Sequence, residues 1–151
     1  MIKIGAFTGT ASFAVGGETL HGLFKLPIHF GYVSTFLFQT SFFYYCVFLH
    51  FRWKDPCPDL QGDALDALQK SFADVELLVI DEKSMVSALH LYMIDQRLRQ
   101  AKPMKANEAF GGISVMIMGD FAQLPPVGLA AMFEVLKTFC VPITFRYFCK
   151  L

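Results

Sequence analysis

The sequence predicts an α/β domain built on a parallel sheet, and three observations predict it. Two nearly continuous apolar runs of strand length, residues 75–80 and 113–118, are separated by a segment with helical periodicity. Strands that are apolar on both faces belong to parallel sheets covered by helices. Each run also ends in polar residues, Asp81-Glu82 after the first and Gly119-Asp120 after the second, at the carboxyl edge where such sheets bind ligands.

Taken in chain order, residues 2–6 read as a short strand, followed by a polar, glycine-bearing turn at Thr8-Gly9-Thr10. Gly16-Gly17-Glu18-Thr19 leads into Leu20, Leu23 and Phe24, a helical spacing that stops at Pro27. Asp63 is placed to cap a short helix whose apolar positions are Leu65, Leu68 and Phe72. The first buried-type strand then ends in the acidic pair. Ala88, Leu91, Ile94 and Leu98 mark one face of the next helix, Asp95, Arg97 and Arg99 lie mostly off that face, and Pro103 closes it. The second buried-type strand runs into Gln123-Leu124-Pro125-Pro126.

A length of 151 residues fits one domain of ordinary size. The chain is 54% hydrophobic, 15% aromatic and only 17% charged, with a net charge of zero, against about 25% charged residues in an average soluble domain. That balance removes the strongly basic signature of a nucleic-acid binder and leaves room for a local basic groove. Arg97, Arg99, Lys102 and Lys105 form one such cluster, read most simply as a solvated helix face and loop. The aromatic excess concentrates in residues 30–51 and 133–148, and the four cysteines, Cys46, Cys57, Cys140 and Cys149, lie in or beside these stretches. Their spacing fits no zinc pattern, so they read as reduced thiols.

The N-terminal residues carry neither the apolar region of a signal peptide nor the Arg-rich pattern of a transit peptide. Residues 30–51 have no formal charge and are long enough to span a bilayer, which takes about 20 residues. They are rich in Phe and Tyr and poor in aliphatics, a composition of interfaces more than of hydrocarbon depth. A membrane-attached or scaffold protein is therefore the alternative reading. The chain divides into a segment 1–28, an aromatic insertion 29–58, a core 59–128 and an atypical tail 129–151.

Two acids at the end of a buried strand suit nucleotide hydrolysis. Asp81 can hold magnesium through its water shell, and Glu82 can orient or deprotonate the attacking water. An acidic pair taken alone is equally a solvated strand end. Asp120 and Gln123 stand at an equivalent edge, where an amide can contact a terminal phosphate, although the same segment alone reads as a turn before a proline stop.

Together these residues form a recognisable set. Asp81-Glu82-Lys83-Ser84-Met85-Val86, Phe110-Gly111-Gly112-Ile113-Ser114-Val115 and Gly119-Asp120-Phe121-Ala122-Gln123-Leu124-Pro125-Pro126-Val127 closely resemble the petite-integration-frequency (Pif-type) DNA helicases, including those of Helitron transposons. Thr8-Gly9-Thr10-Ala11-Ser12-Phe13 through Gly16-Gly17-Glu18-Thr19-Leu20-His21 looks like that family's single-strand-contacting motif. The resemblance covers about residues 4–28 and 59–128. It implies part of a RecA-like P-loop NTPase sheet that lacks the P-loop strand. The implied activity is that of an ATP-dependent 5′-to-3′ DNA helicase in DNA repair, recombination and telomere maintenance, nuclear or mitochondrial, with ATP and single-stranded DNA as ligands. By position, Asp81 would bind Mg2+, Glu82 would be the catalytic base, and Gln123 would sense the γ-phosphate with Asp120 supporting it. Thr8, Gly9 and Thr10 would lie near the DNA backbone. His21 would sit beside them, or simply make a structural hydrogen bond.

The sequence also departs from that pattern. No G-x-x-x-x-G-K-[ST] loop occurs, and Gly-Lys never occurs as a pair, so backbone amides and a lysine that wrap the β- and γ-phosphates are missing. In the family this loop lies upstream of Thr8, and a second motor domain with its arginine finger lies beyond Gly128. The expectation is a motor fragment that does not turn over ATP alone. The family usually has proline at Phe7 and an apolar residue at Lys83. The aromatic block is foreign to it, and 29–58 and 129–151 read as translated intron and run-on past an exon boundary.

Overall fold

The computed structural model describes residues 1–27, 57–120 and 122–126. Residues 29–56 of the 29–58 block, including all of 30–51, and the whole of 129–151 lie outside the described residues, with the membrane, intron and run-on readings attached to them. Among the described residues no helix is long and apolar enough to cross a membrane.

Four strands form one sheet: β1 (Ile2–Ala6), β2 (Glu18–Thr19), β3 (Leu77–Asp81) and β4 (Ser114–Ile117), in the spatial order β2-β1-β3-β4. Every pairing is parallel, as the apolar runs predict. The register sets Ala6 opposite Asp81 and Ile80 opposite Ile117, so the carboxyl ends of β1, β3 and β4 finish side by side. Helices α1 (Gly9–Ala14), α2 (Leu20–Phe24), α3 (Asp63–Phe72) and α4 (Ala88–Ala101) connect them, with short 3-10 turns at Lys83–Met85, Pro103–Lys105 and Ala109–Gly112.

Leu20, Phe24, Phe72, Leu78, Ile80, Met93, Ile94 and Leu98 are fully buried and form the core between sheet and helices. Phe24 stacks on Phe72 at 5.3 Å between centroids, tying α2 to α3. Burying each such side chain stabilises the fold by about 1.5–3 kcal/mol. Cys57 joins this core as a buried side chain, its Sγ 3.9 Å from the Met93 carbonyl.

Four local readings are corrected. Thr8-Gly9-Thr10 is not an open turn but the start of α1, because the Thr8 hydroxyl accepts the Ala11 N–H at 3.2 Å and caps the helix. A six-residue helix has too few turns to show apolar periodicity. Gly62, not Asp63, is the cap of α3; Asp63 and Asp66 lie in its first turn, where their charges complement the helix dipole. The strand β4 is not covered on both faces among the described residues: Met116 is 49% exposed, and Met118 just beyond the strand is 47% exposed.

The fourth correction concerns α4, which is buried well beyond its apolar stripe. Asp95 and Arg97 are both buried. Asp95 is tied to Arg99 at 2.8 Å and accepts the Phe110 N–H at 2.6 Å. Arg97 donates to the carbonyls of Phe24 and Pro58 at 3.2 and 2.9 Å. Charged residues off the apolar face were expected in water; here their polar ends find partners from three other segments, which is what makes burial tolerable.

Candidate functional site

The site follows from how the chain leaves its two central strands. After β1 the chain turns to β2 on one side, and after β3 it continues to β4 on the other. Adjacent strands whose connections diverge leave a crevice at their carboxyl ends, the usual ligand position in open parallel sheets. Thr8 follows β1 and Glu82 follows β3, so the two residues face each other across that crevice.

They are directly joined. The Thr8 backbone N–H donates to Glu82 Oε2 at 2.9 Å, and the Thr8 hydroxyl donates to Glu82 Oε1 at 3.1 Å. Both carboxylate oxygens are therefore held by one residue, 74 positions away in the chain. The same hydroxyl accepts from Ala11, so its proton and a lone pair are both committed. Glu82 itself takes a left-handed backbone conformation, φ 59° and ψ 48°, and donates its N–H to Asp81 Oδ1 at 2.8 Å. A non-glycine residue held in this region costs about 1–3 kcal/mol and is concentrated at functional sites.

The end of β4 seals the other side of this turn. The Lys83 N–H donates to the Met118 carbonyl at 2.9 Å. Gly119 follows with φ 128°, and a Cβ there would lie 2.8 Å from Lys83 N and 3.4 Å from Glu82 Cα. Glycine is thus required for close approach as well as for its backbone conformation. Lys83, one departure from the family pattern, is half-buried in the 3-10 turn. Ser84, next to it, is buried, and among the described residues its hydroxyl oxygen has no hydrogen-bond partner.

The structure brings Thr8, Asp81 and Glu82 together. Asp120 and Gln123 lie at the same sheet edge but on an exposed turn of their own. Asp120 accepts the Ala122 N–H at 2.9 Å, the Gln123 N–H reaches the Asp120 carbonyl at 3.4 Å, and neither side chain bonds to Asp81 or Glu82. Gly9 and Thr10 are exposed on the first turn of α1, and a Cβ on Gly9 would meet nothing within 4 Å.

His21 belongs to a packed ring cluster with Phe7 and His90. The three centroids are 5.1 to 5.6 Å apart and all pairs meet edge to face. The family's usual proline at Phe7 is thus replaced by a ring that packs on two imidazoles. Sequence reasoning missed His90 and Ser87. They complete a capping box on α4, with the Ser87 hydroxyl accepting the His90 N–H at 3.1 Å and His90 Nδ1 accepting the Ser87 N–H at 3.3 Å. The signal was Ser-x-x-His, hidden because Glu or Gln usually fills that third position.

Burial lowers the His90 pKa from 6.5 to about 4, with the neighbouring His21 adding to the effect; burial also lowers that of His21. Between these values the unfolded chain binds more protons than the folded one. Stability from a neutral His90 is therefore complete above about pH 6.5 and falls as pH drops toward 4, by up to about 1.4 kcal/mol per pH unit. His90→Gln keeps a side chain suited to the capping box and removes this titration. Denaturant unfolding at several pH values between about 7 and 5 is expected to show a shallower loss for the variant; equal slopes would assign the dependence elsewhere.

Among the described residues no three His, Cys, Asp or Glu side chains gather into a cage for a metal. Asp81 fits the lesser demand that magnesium makes beside a phosphate, one hard carboxylate with the remaining ligands left to water and phosphate oxygens. Its Oδ1 is oriented by the Glu82 N–H.

A family model described as PIF1-like helicase matches residues 57–141, more than half of the chain. The chain belongs to the PIF1-like helicase family. The ATP-dependent DNA helicase Pif1 of a Psychrobacter species is 45% identical over 61 residues, covering 40% of this chain and 9% of that protein. The ATP-dependent DNA helicase RRM3 of Saccharomyces cerevisiae is 31% identical over 139 residues, 92% of this chain and 16% of that protein. The crystal structure of Bacteroides Pif1 bound to ssDNA superposes with a TM-score of 0.61 at 32% identity, over 91% of this chain and 26% of that one. The chain therefore spans a small part of the length of the PIF1-like helicases it matches, and its parallel sheet with flanking helices is their RecA-like fold.

Proposed function

We propose that this chain carries the strand-contacting and hydrolytic residues of an ATP-dependent DNA helicase motor that moves 5′ to 3′ along single-stranded DNA. The observation that supports this reading is the Thr8–Glu82 contact at the carboxyl ends of β1 and β3, which joins two motifs of the family in one crevice. Glu82 is the base toward the attacking water, a role that asks for a carboxylate oriented by its surroundings. Asp81 holds magnesium through water, and the ion supplies charge neutralisation on the phosphates when bound. Gln123, with Asp120 beside it, meets the γ-phosphate side. Thr8, Gly9 and Thr10 contact the strand backbone, where exposed amides and hydroxyls suit phosphate oxygens. His21 supports that turn through its ring packing against Phe7.

Because the sequence contains no phosphate-binding G-x-x-x-x-G-K-[ST] loop, the two halves of the function separate in the test. The 151-residue chain is expected to bind a fluorescent oligothymidylate in a salt-sensitive way and to show no DNA-stimulated ATP hydrolysis. Failure of the folded chain to bind at low salt would overturn the strand-contact assignment. DNA-stimulated turnover that Glu82→Gln abolishes would overturn the need for the missing loop.

A further inference from the structure

The two hydrogen bonds from Thr8 to Glu82 pose an accounting problem. A threonine has one hydroxyl proton and one backbone N–H, and both are spent on the Glu82 carboxylate. Phosphate oxygens accept hydrogen bonds and donate none. A strand phosphate seated at Thr8 needs the same two protons, so phosphate and Glu82 compete for them. Among the described residues, approach to Thr8 is open, since Gly9 and Thr10 are exposed and nothing lies within 4 Å of a Cβ placed on Gly9.

We infer that Thr8 is a positioning residue that holds the Glu82 carboxylate while no strand is bound and transfers its two donors to a strand phosphate on binding, which releases the carboxylate toward water. The inference rests on the proposed strand contact at Thr8–Thr10 and adds the coupling between that contact and the base. With the strand absent, lone pairs on both oxygens of Glu82 are engaged by Thr8 and less available to a water proton. With a phosphate in place they are freed. Hydrolysis is thereby linked to occupancy of the track through one residue, without a longer relay.

The competition is reciprocal, so it is measurable as DNA affinity without any ATP turnover. Glu82→Asp keeps the charge but shortens the side chain by one methylene, withdrawing the carboxylate from Thr8. It is expected to tighten binding of a fluorescent oligothymidylate by the 151-residue chain several-fold, up to about tenfold, the equivalent of one hydrogen bond to a charged group. Glu82→Ala is expected to tighten it at least as much, and this gain shrinks in a Thr8→Val background while persisting with Thr8→Ser, which retains the hydroxyl. Unchanged affinity for Glu82→Asp overturns the inference. So does an equal gain from Glu82→Ala with and without the Thr8 hydroxyl, which is what simple charge repulsion predicts. Absence of DNA binding by every form, wild type included, overturns the strand-contact reading itself.

Discussion

Arg97→Ala is expected to lower the free energy of unfolding by about 3 kcal/mol, a large fraction of what holds a domain of this size together. Arg97 is 2% exposed, and its guanidinium donates to three acceptors: the Phe24 carbonyl, the Pro58 carbonyl and Gln100 Oε1. Phe24 is the last residue of α2, so its carbonyl has no partner within the helix. Pro58 lies far along the chain from α2, and one side chain on α4 ties both to the core. Truncation leaves the carbonyl of the buried Phe24 without its donor, at about 1–3 kcal/mol, removes the bond to the Pro58 carbonyl, and empties the space of the stem. Arg97→Lys restores little, because a single ammonium cannot replace a planar fork aimed at separate acceptors. Urea unfolding checks this through the midpoint. A loss below about 1 kcal/mol would mean that the guanidinium is not what joins α2 to α4.

The second large effect falls on the site itself. Gly119→Ala is expected to cost about 3 kcal/mol, combining a left-handed backbone unsuited to a Cβ with a contact against backbone that cannot swing away. The added atom would lie 2.8 Å from Lys83 N, and the end of β4 is fastened there by the hydrogen bond from Lys83 to Met118. Gly16→Ala is the matched control. Its φ is 65°, but among the described residues nothing lies within 4 Å of the added Cβ, so only the conformational cost of about 1 kcal/mol remains. Similar losses at both positions would remove the close approach as the reason for glycine at 119.

These two residues show where sequence is legible and where it is not. The strands β3 and β4 stood out because a nearly continuous apolar run of strand length has few other meanings, and their polar ends followed directly. Arg97 was misread because a charged residue off an apolar stripe is ordinarily solvated; its partners come from residues 39 and 73 positions away, which no local pattern reports. The helix α1 was hidden by its brevity and by the glycine at its start. At the site, Asp81 and Glu82 could be named from the strand end alone, and Thr8 from its motif. Their contact depends on β1 and β3 being neighbours in register, information that exists only once the sheet is assembled.

The central claim is that the Thr8 turn is at once the track contact and the holder of Glu82. Backbone amide shifts of the isotopically labelled chain, followed during titration with oligothymidylate, test it most directly. The predicted result is early, concerted movement of the Thr8, Gly9, Thr10 and Glu82 amides while those of α3 stay in place. Movement confined to the Lys102 and Lys105 turn, with Thr8 and Glu82 unmoved, would contradict it.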